Sequence, residues 1–313
     1  MIEASFPNAV ACVIGYGSIG KRHREVLNEL GVETISVSRS SADKASAIFS
    51  TLKDALSYRP SVNYLVVATE TSHHVETLSA IVDQGLRIKT LVEKPVFDKV
   101  EKRQHYDFPV MVGYNLRFHP AIEWLKRELT GKRIFSGHFL VGQWLPEWRK
   151  NVDYRTSYSA DIKSGGGVLN DLSHELDLVL HLVGHYESIC GNIGQRSDLE
   201  ISSDDCCDLM IRTDSCQQVL VSLNYLSRPG HRSIKIHADS GTYSANLVTG
   251  ECNLNTDLVH TFVCDRNLTY REMHKDMLNG ASRVATLSEG LEVVEWIEKA
   301  RKSDAEKKWI LKA

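Results

Sequence analysis

The strongest constraint on the fold of this chain is the order of three short pieces near its start: the apolar run from Val10 to Gly15, the triplet Gly15-Tyr16-Gly17-Ser18-Ile19-Gly20, and a helical stretch from Lys21 to Leu30. A short run that is apolar without alternation suits a strand buried on both faces, as in a parallel sheet covered by helices. A G-x-G-x-x-G match is weak alone and gains meaning from a strand before it and a helix after it, and both are present. In that setting Gly15 allows the tight turn, Gly17 lets the backbone approach a pyrophosphate, and Gly20 lets helix and strand pack closely. The helix N-terminus then meets the anion with free N–H groups. Gly15, Tyr16, Gly17, Ser18, Ile19 and Gly20 therefore read as a dinucleotide cradle. Gly15 to Lys21 also satisfies G-x-x-x-x-G-K, but Arg22 follows where a Ser or Thr hydroxyl would ligate magnesium, which excludes a nucleoside-triphosphate loop.

A second strand, Thr34 to Ser38, ends in Ser38-Arg39-Ser40, where an acidic residue would ordinarily accept the ribose hydroxyls of NAD. No carboxylate stands there. Arg39 with its neighbouring hydroxyls suits a 2′-phosphate, so NADP is favoured over NAD, with Ser38, Arg39 and Ser40 as contacts. Helical stretches near Ala42 to Phe49 and Leu52 to Ser57, a strand from Tyr64 to Ala68, a helix around His74 to Gln84, and strands from Thr90 to Val92 and Pro109 to Asn115 follow. This alternation predicts a doubly wound parallel sheet that binds ligands beyond the C-terminal ends of its strands. Two segments lie on that edge. Ala68-Thr69-Glu70-Thr71-Ser72-His73-His74 is read as covering the cofactor through Ala68, Thr69, Glu70 and His74, and Glu93-Lys94-Pro95 ends the next strand. A residue before proline is biased toward extended backbone, so Lys94 is expected to project from a defined main chain.

A chain of 313 residues fits two domains better than one core, and the boundary is placed near residue 118, giving 1–118 and 119–313. After a helix from Ala121 to Leu129 and a strand from Ile134 to Gln143, Trp144 to Ser164 is rich in aromatic and basic side chains that suit a sugar ring with hydroxyls or phosphates. Asn115, Arg117, Trp144, Tyr154, Arg155 and Tyr158 are the candidate substrate contacts, with internal packing and ion pairing as the competing account. Gly165-Gly166-Gly167 then opens a helix on which Leu172, Leu176, Val179, Leu180 and Val183 form an apolar stripe, leaving Asp171 and His174 on a shared opposite face. Asp177 and His181 extend that face, but no H-E-x-x-H pair occurs and the nearest His/His spacing on the helix is seven residues, so no metal site is read. Segments near Ser188 to Gln195, Cys207 to Thr213, Gln217 to Leu226, Ser233 to Ala238 and Thr242 to Val248 predict a largely antiparallel sheet. One face of it would cover the His174 helix and the other would meet a second copy in a homo-oligomer, dimer or tetramer. A last helix, Ser288 to Lys302, is expected to pack near the domain junction.

Composition removes other classes. The formal net charge is −3, with no basic stripe interleaved with aromatics, so nucleic acid is not an expected partner and small molecules are. Cys12, Cys190, Cys206, Cys207, Cys216, Cys252 and Cys264 form an odd, scattered set without a C-x-x-C pair, which suits a reducing cytoplasm rather than a disulfide framework. No segment approaches the roughly 20 apolar residues of a membrane span, and no export signal is visible at the N-terminus.

Gly15 to Gly20, the Ala68-Thr69 to His74 segment, Glu93-Lys94-Pro95, and the Gly165-Gly166-Gly167 turn with Asp171 and His174 together resemble, in the same order, the glucose-fructose oxidoreductase / inositol dehydrogenase / rhizopine catabolism (Gfo/Idh/MocA) family. Gly113-Tyr114-Asn115-Leu116-Arg117-Phe118-His119-Pro120, Asp153-Tyr154-Arg155-Thr156-Ser157-Tyr158 and Asp171-Leu172-Ser173-His174-Glu175-Leu176-Asp177 resemble members associated with bacterial surface-sugar biosynthesis. The resemblance implies a Rossmann domain followed by a domain with a large, mostly antiparallel open sheet, a nicotinamide at their junction, and Lys94, Asp171 and His174 as the catalytic group. Two departures stand out. The connection from Pro95 to Pro109 is shorter than usual, so a helix there is expected to be reduced, and Asp171 and His174 are three apart where many members have four. The expected activity is NAD(P)-dependent hydride transfer at a hydroxyl or carbonyl carbon of a sugar phosphate, nucleotide sugar or sugar acid. His174 would act as acid/base, Asp171 would orient it, and Lys94 would hold the reacting oxygen. The alternatives are a cofactor-binding sensor of the same fold without turnover, against which the retention of all three residues weighs, and a reductase of a non-sugar carbonyl.

Overall fold

Two burial patterns separate the strands of this protein, whose computed structural model describes residues 6–40, 42–100, 105–149 and 152–312. In β1 (Val10–Ile14) every side chain is buried, whereas the strand Cys206–Thr213 alternates buried with exposed or half-buried positions. The first pattern belongs to a sheet covered on both faces and the second to a sheet with one free face. The chain accordingly divides into two compact units, Met1–Phe118 with Arg266–Leu291, and His119–Asp265 with Glu292–Ala313.

In the first unit β1 leads into α1 (Ser18–Glu29), β2 (Glu33–Val37), β3 (Ile48–Phe49), α2 (Leu52–Tyr58), β4 (Tyr64–Val67), α3 (His74–Asp83), β5 (Lys89–Val92) and β6 (Val110–Val112). These strands are parallel and lie in the order β6-β5-β4-β1-β2-β3. The order reverses at β1, so the turn that leaves β1 sits at the switch point of the sheet. The helix expected over Ala42 to Phe49 does not form. Lys44–Ser46 makes a single 3-10 turn capped by Asp43, and the buried side chains of Ile48 and Phe49 complete the sheet edge against Ser36 and Val37. Between Pro95 and β6 no helix occurs among the described residues, and residues 101–104 lie outside them.

The stretch Arg266–Leu291, read from the sequence as part of the second domain, returns to the first unit. Its helix Leu268–Leu278 buries Tyr270, Met273 and Met277 in one cluster with Val26, Leu27, Tyr64 and Leu91, and its strand Ala285–Thr286 pairs antiparallel with β6. The apolar period of that helix is diluted, because His274 and Asp276 share the buried face with the methionines.

The second unit begins with α4 (Pro120–Leu129) and β7 (Ile134–Gly142). It continues through α5 (Val168–Asp171), α6 (His174–Leu182), β8 (Tyr186–Gly194), β9 (Cys206–Thr213), β10 (Val219–Asn224), β11 (His231–Ala238), β12 (Gly241–Asn246), β13 (Glu251–Leu254) and β14 (Asp257–Thr261). The helix and strand of the Arg266–Leu291 stretch are α7 and β15, and α8 (Leu287–Glu306) and β16 (Ile310–Leu311) end the chain's regular structure. The sheet runs β14-β13-β12-β11-β7-β10-β9-β8-β16, with only the β7/β10 pair parallel. Phe139, Val141, Leu209, Ile211, Val221 and Ile234 bury one face, on which α4 and α6 pack. The single helix expected through Asp171 and His174 is broken. α5 stops at Asp171, Leu172 leaves helical geometry at φ −99° and ψ 26°, and α6 restarts at His174. A shared face measured around one helix axis therefore does not apply to this pair. No helix among the described residues is long and apolar enough to cross a membrane.

The return of Arg266–Leu291 is clamped by Asp276, whose carboxylate accepts the Arg283 and Val284 N–H groups at 2.9 and 3.1 Å and the Ser282 hydroxyl at 3.1 Å. Asp276→Ala leaves those donors without an acceptor, a loss of about 1–3 kcal/mol. Hydrogen exchange in α7 and β15 should speed up by roughly tenfold to a hundredfold. Unchanged protection there would show that the clamp holds nothing.

Candidate functional site

At the end of β1 the backbone turns through Gly15 with φ +101°, a region L side chains rarely adopt. A Cβ on Gly15 would lie 2.4 Å from the Ala68 carbonyl oxygen, and one on Gly20 would lie 1.9 Å from the Gly15 carbonyl oxygen. A Cβ on Gly17 would meet nothing within 4 Å. The outer two glycines are thus demanded by the protein's own packing, while the middle one borders open space. Gly17 is also the N-cap of α1, with no side-chain capping bond and no acidic residue in the first turn, so the positive end of the helix dipole is left for an external anion. Tyr16 beside it is overlain by Lys21 and Arg24 at 5.5 and 5.6 Å.

The Ala68 N–H donates to the Ile14 carbonyl at 2.8 Å and so brings the next residue to the glycine turn. Thr69 Oγ1 is buried without a hydrogen-bond partner among the described residues. An open glycine, an uncapped helix N-terminus and an orphan hydroxyl fit the phosphates of a dinucleotide. Ser38 is buried at the end of β2, and Arg39 and Ser40 are exposed. The Arg39 guanidinium has no hydrogen-bond or ion-pair partner among the described residues.

His74 and Glu93, read from the sequence as cofactor contacts, both make hydrogen bonds inside the first unit. His74 is wholly buried, with Nδ1 3.0 Å from the Val96 carbonyl and Nε2 3.1 Å from the Thr69 carbonyl, and burial lowers its pKa. It ties together the main chains that follow β4 and β5. Glu93 Oε1 lies 2.9 Å from His23 Nε2, and Oε2 accepts the Lys94 N–H at 3.2 Å. Glu70 is exposed, and Lys94 is half-buried before a cis bond to Pro95.

In the second unit the triple-glycine turn is held from several sides. The Tyr158 hydroxyl and the Asn170 amide each donate to the Gly165 carbonyl at 2.7 Å. At Gly167, where φ is +117°, a Cβ would lie 2.6 Å from Asp204 Oδ1. Buried Asp204 accepts the Leu169 N–H at 3.1 Å and the Arg301 guanidinium at 2.9 Å, placing a paired carboxylate at the start of α5. At the other end of α5, Asp171 Oδ2 accepts the Tyr225 hydroxyl at 2.7 Å. Burial, then the Asp171 charge, push the Tyr225 pKa far up, so this hydroxyl remains a donor. Trp148 packs edge-on against the Tyr225 ring at 5.1 Å, and its buried Nε1–H has no partner among the described residues. His174, half-buried, is the first residue of α6.

The other substrate candidates are spread out. Tyr158 braces the turn just described, and the Tyr154 hydroxyl accepts the Glu200 N–H at 3.3 Å. Exposed Arg155 pairs with Asp153 at 2.9 Å and Glu200 at 2.8 Å, and the Arg228 guanidinium lies 3.3 Å over the Trp144 ring. Asn115 and Arg117 are buried in the first unit, where Asn115 donates to Thr269 at 2.7 Å and Arg117 pairs with Glu289 at 2.9 Å. Both therefore help to retain Arg266–Leu291. Tyr225 and Asp204 escape a reading of the sequence, since one directly follows an ordinary strand and the other sits in a polar loop with no motif around it.

Residues 10–106 match the family model described as an oxidoreductase family with an NAD-binding Rossmann fold, and residues 127–244 match that of the GFO/IDH/MocA C-terminal domain. No curated protein matches the chain. Among solved structures, levoglucosan dehydrogenase in complex with NADH aligns with a TM-score of 0.83 at 17% identity, over 97% of this chain and 98% of that one. GenD2 from gentamicin A biosynthesis, in complex with NAD, aligns with a TM-score of 0.78 at 20% identity, over 97% and 96%. The WlbA dehydrogenase from Bordetella pertussis, in complex with NADH and UDP-GlcNAcA, aligns with a TM-score of 0.76 at 18% identity, over 97% and 98%. At such identities the structural likeness establishes the fold, and the two family models, one on each side of the chain, establish descent: this protein belongs to the Gfo/Idh/MocA family of oxidoreductases.

Proposed function

We propose that this protein transfers a hydride between a nicotinamide dinucleotide, NADP in preference to NAD, and a hydroxyl or carbonyl carbon of a sugar or sugar derivative. The observation that carries the reading is the placement of Lys94, Asp171 and His174 at the ends of ordered elements, Lys94 directly after β5 and the other two on the short helices that follow a braced glycine turn. Bound nicotinamide supplies the hydride acceptor or donor. The chain supplies the proton chemistry. In the oxidative direction the neutral imidazole of His174 takes the proton of the reacting hydroxyl as its carbon becomes a carbonyl, and in reduction it returns that proton. Lys94 hydrogen-bonds the same oxygen and stabilises negative charge as it develops. Asp171 favours the imidazolium, and the Tyr225 hydroxyl holds the carboxylate in place for that role.

A sugar derivative such as a sugar phosphate, nucleotide sugar or sugar acid is the substrate class supported by the family and by the levoglucosan and UDP-GlcNAcA complexes of its structural neighbours. The kinship with surface-sugar biosynthesis rests on the same ground. The preference for NADP rests on Arg39, which is exposed and has no partner among the described residues. A homo-oligomer, dimer or tetramer, is supported by the outward face of the nine-stranded sheet. There Leu140 and Met210 are exposed and border a depression of about 380 Å³ that also touches His138, Asn192, Asp208 and Ser222.

His174→Ala and Lys94→Met should each lower turnover by about 10²- to 10⁴-fold while NADPH binding, read by nicotinamide fluorescence, is retained. Near-normal turnover in either variant removes that residue's role. Arg39→Ala should reduce the NADP over NAD discrimination by roughly tenfold to a hundredfold, the worth of one charge-assisted phosphate contact. An unchanged ratio assigns the preference elsewhere. Light scattering should return a mass of two or four chains, and a monomer at micromolar concentration would leave the open sheet face without its proposed partner.

A further inference from the structure

The first unit buries a line of titratable groups that hydride transfer does not use. Tyr64 on β4, His274 on α7, His23 on α1 and Glu93 after β5 come from four separate elements. Tyr64 Oη is 2.8 Å from His274 Nδ1, His274 Nε2 is 2.8 Å from His23 Nδ1, and His23 Nε2 is 2.9 Å from Glu93 Oε1. The first three side chains are wholly buried, and Glu93 is 8% exposed.

Donors and acceptors determine the proton positions along this line. An ionised Glu93 only accepts, so His23 carries its hydrogen on Nε2. With His23 neutral, its Nδ1 accepts from His274 Nε2–H, and His274 Nδ1 accepts from the Tyr64 hydroxyl. Every donor then meets an acceptor and both rings are uncharged. An added proton on His23 reverses the line: His23 Nδ1–H donates to His274, and His274 donates to the Tyr64 oxygen. The Tyr64 hydrogen is then left in the interior without an acceptor among the described residues, a costly arrangement. The Tyr270 ring packs against His23 with centroids 5.3 Å apart and itself carries the Arg22 guanidinium at 5.4 Å. Burial holds His274 well below its ordinary pKa and Tyr64 well above its own, so neither exchanges protons near neutral pH.

The line ends at the residue that precedes Lys94. Glu93 Oε2 accepts the Lys94 N–H, and Gly113 leaves so little space that a Cβ there would lie 2.9 Å from Glu93 Oε1. Burial works to raise the Glu93 carboxyl, and its interactions with His23 first and with Lys94 second outweigh that, leaving the group below the usual carboxylate range. We propose that Tyr64, His274 and His23 form a buried, tautomer-locked line that keeps Glu93 ionised and immobile, so that a fixed negative charge at the base of Lys94 holds its ammonium protonated and its main chain in register. His23 is thus a positioning residue acting through Glu93, and His274 and Tyr64 set its tautomer. The purpose of the line rests on the reading of Lys94 as the group that meets the reacting oxygen.

The test uses the full chain without substrate. Nitrogen-resolved imidazole NMR at neutral pH should show a single hydrogen on each ring, on Nε2 of His23 and on Nε2 of His274. The Lys94 titration, followed by the ε-carbon shift in labelled protein and assigned with Lys94→Arg, should move down by about one pH unit in Glu93→Gln, because the charged form loses its partner. A similar fall is expected in His23→Leu, with recovery in His23→Gln, which restores an N–H donor toward Glu93. Should His23→Leu fail to fold, the imidazole spectra of the unaltered protein and Glu93→Gln decide the matter. A His23 ring with both nitrogens protonated at neutral pH, or a Lys94 titration unmoved in Glu93→Gln, overturns the line. Full turnover in Lys94→Met alongside the predicted shifts would instead leave the line standing and overturn the reading of Lys94 that gives it a purpose.

Discussion

The burial of the Glu93 charge is the constraint on which the first unit depends. A carboxylate taken out of water is destabilising unless donors replace its hydration, and here they come from sequence-distant parts of the chain. His23 supplies one from α1 and the Lys94 main chain supplies another. His23 in turn needs a partner for its second nitrogen, and His274 provides it from α7 across a sequence separation of 251 residues. The return of Arg266–Leu291 to the first unit is therefore both an apolar matter, through Tyr270, Met273 and Met277, and a polar one. Asn115–Thr269, Arg117–Glu289 and the Asp276 clamp reinforce the same return.

The second unit solves a different problem, that of holding a turn with three consecutive glycines in one conformation. Glycine loses more backbone freedom on ordering than any other residue, so such a turn needs external bonds. Tyr158, Asn170 and Asp204 supply them, with Arg301 balancing the Asp204 charge. The break at Leu172 then separates two tasks. Asp171 closes α5 against Tyr225, and His174 opens α6, whose apolar residues are anchored on the sheet. Three-residue spacing on a continuous helix and three-residue spacing across a break are different geometries, and this chain has the second.

Much of the architecture was legible because it rests on local periodicity. The unbroken apolar runs of β1 and β4, the alternation in β9 and β10, and the strand–glycine–helix order at Gly15 to Gly20 are properties of neighbouring residues. The family likeness was legible for the same reason, since its motifs are short and contiguous. Local pattern also misled where it was incomplete. Ala42 to Phe49 reads as a helix until β3 is offered an open sheet edge, and α7 does not read as a helix because its buried face carries His274 and Asp276.

What residue order determined by itself, then, is the two kinds of sheet, the dinucleotide turn, and the presence of Lys94, Asp171 and His174 in motif positions. Tertiary structure alone decided the partners of the polar side chains. His74 and Glu93 became interior ties, Arg117 and Asn115 became anchors, and Tyr225 and Asp204 became the supports of the glycine turn and its helix. The physical reason is that apolar burial follows a repeat along the chain, whereas a hydrogen bond is specified by which two distant groups the packed elements bring within about 3 Å.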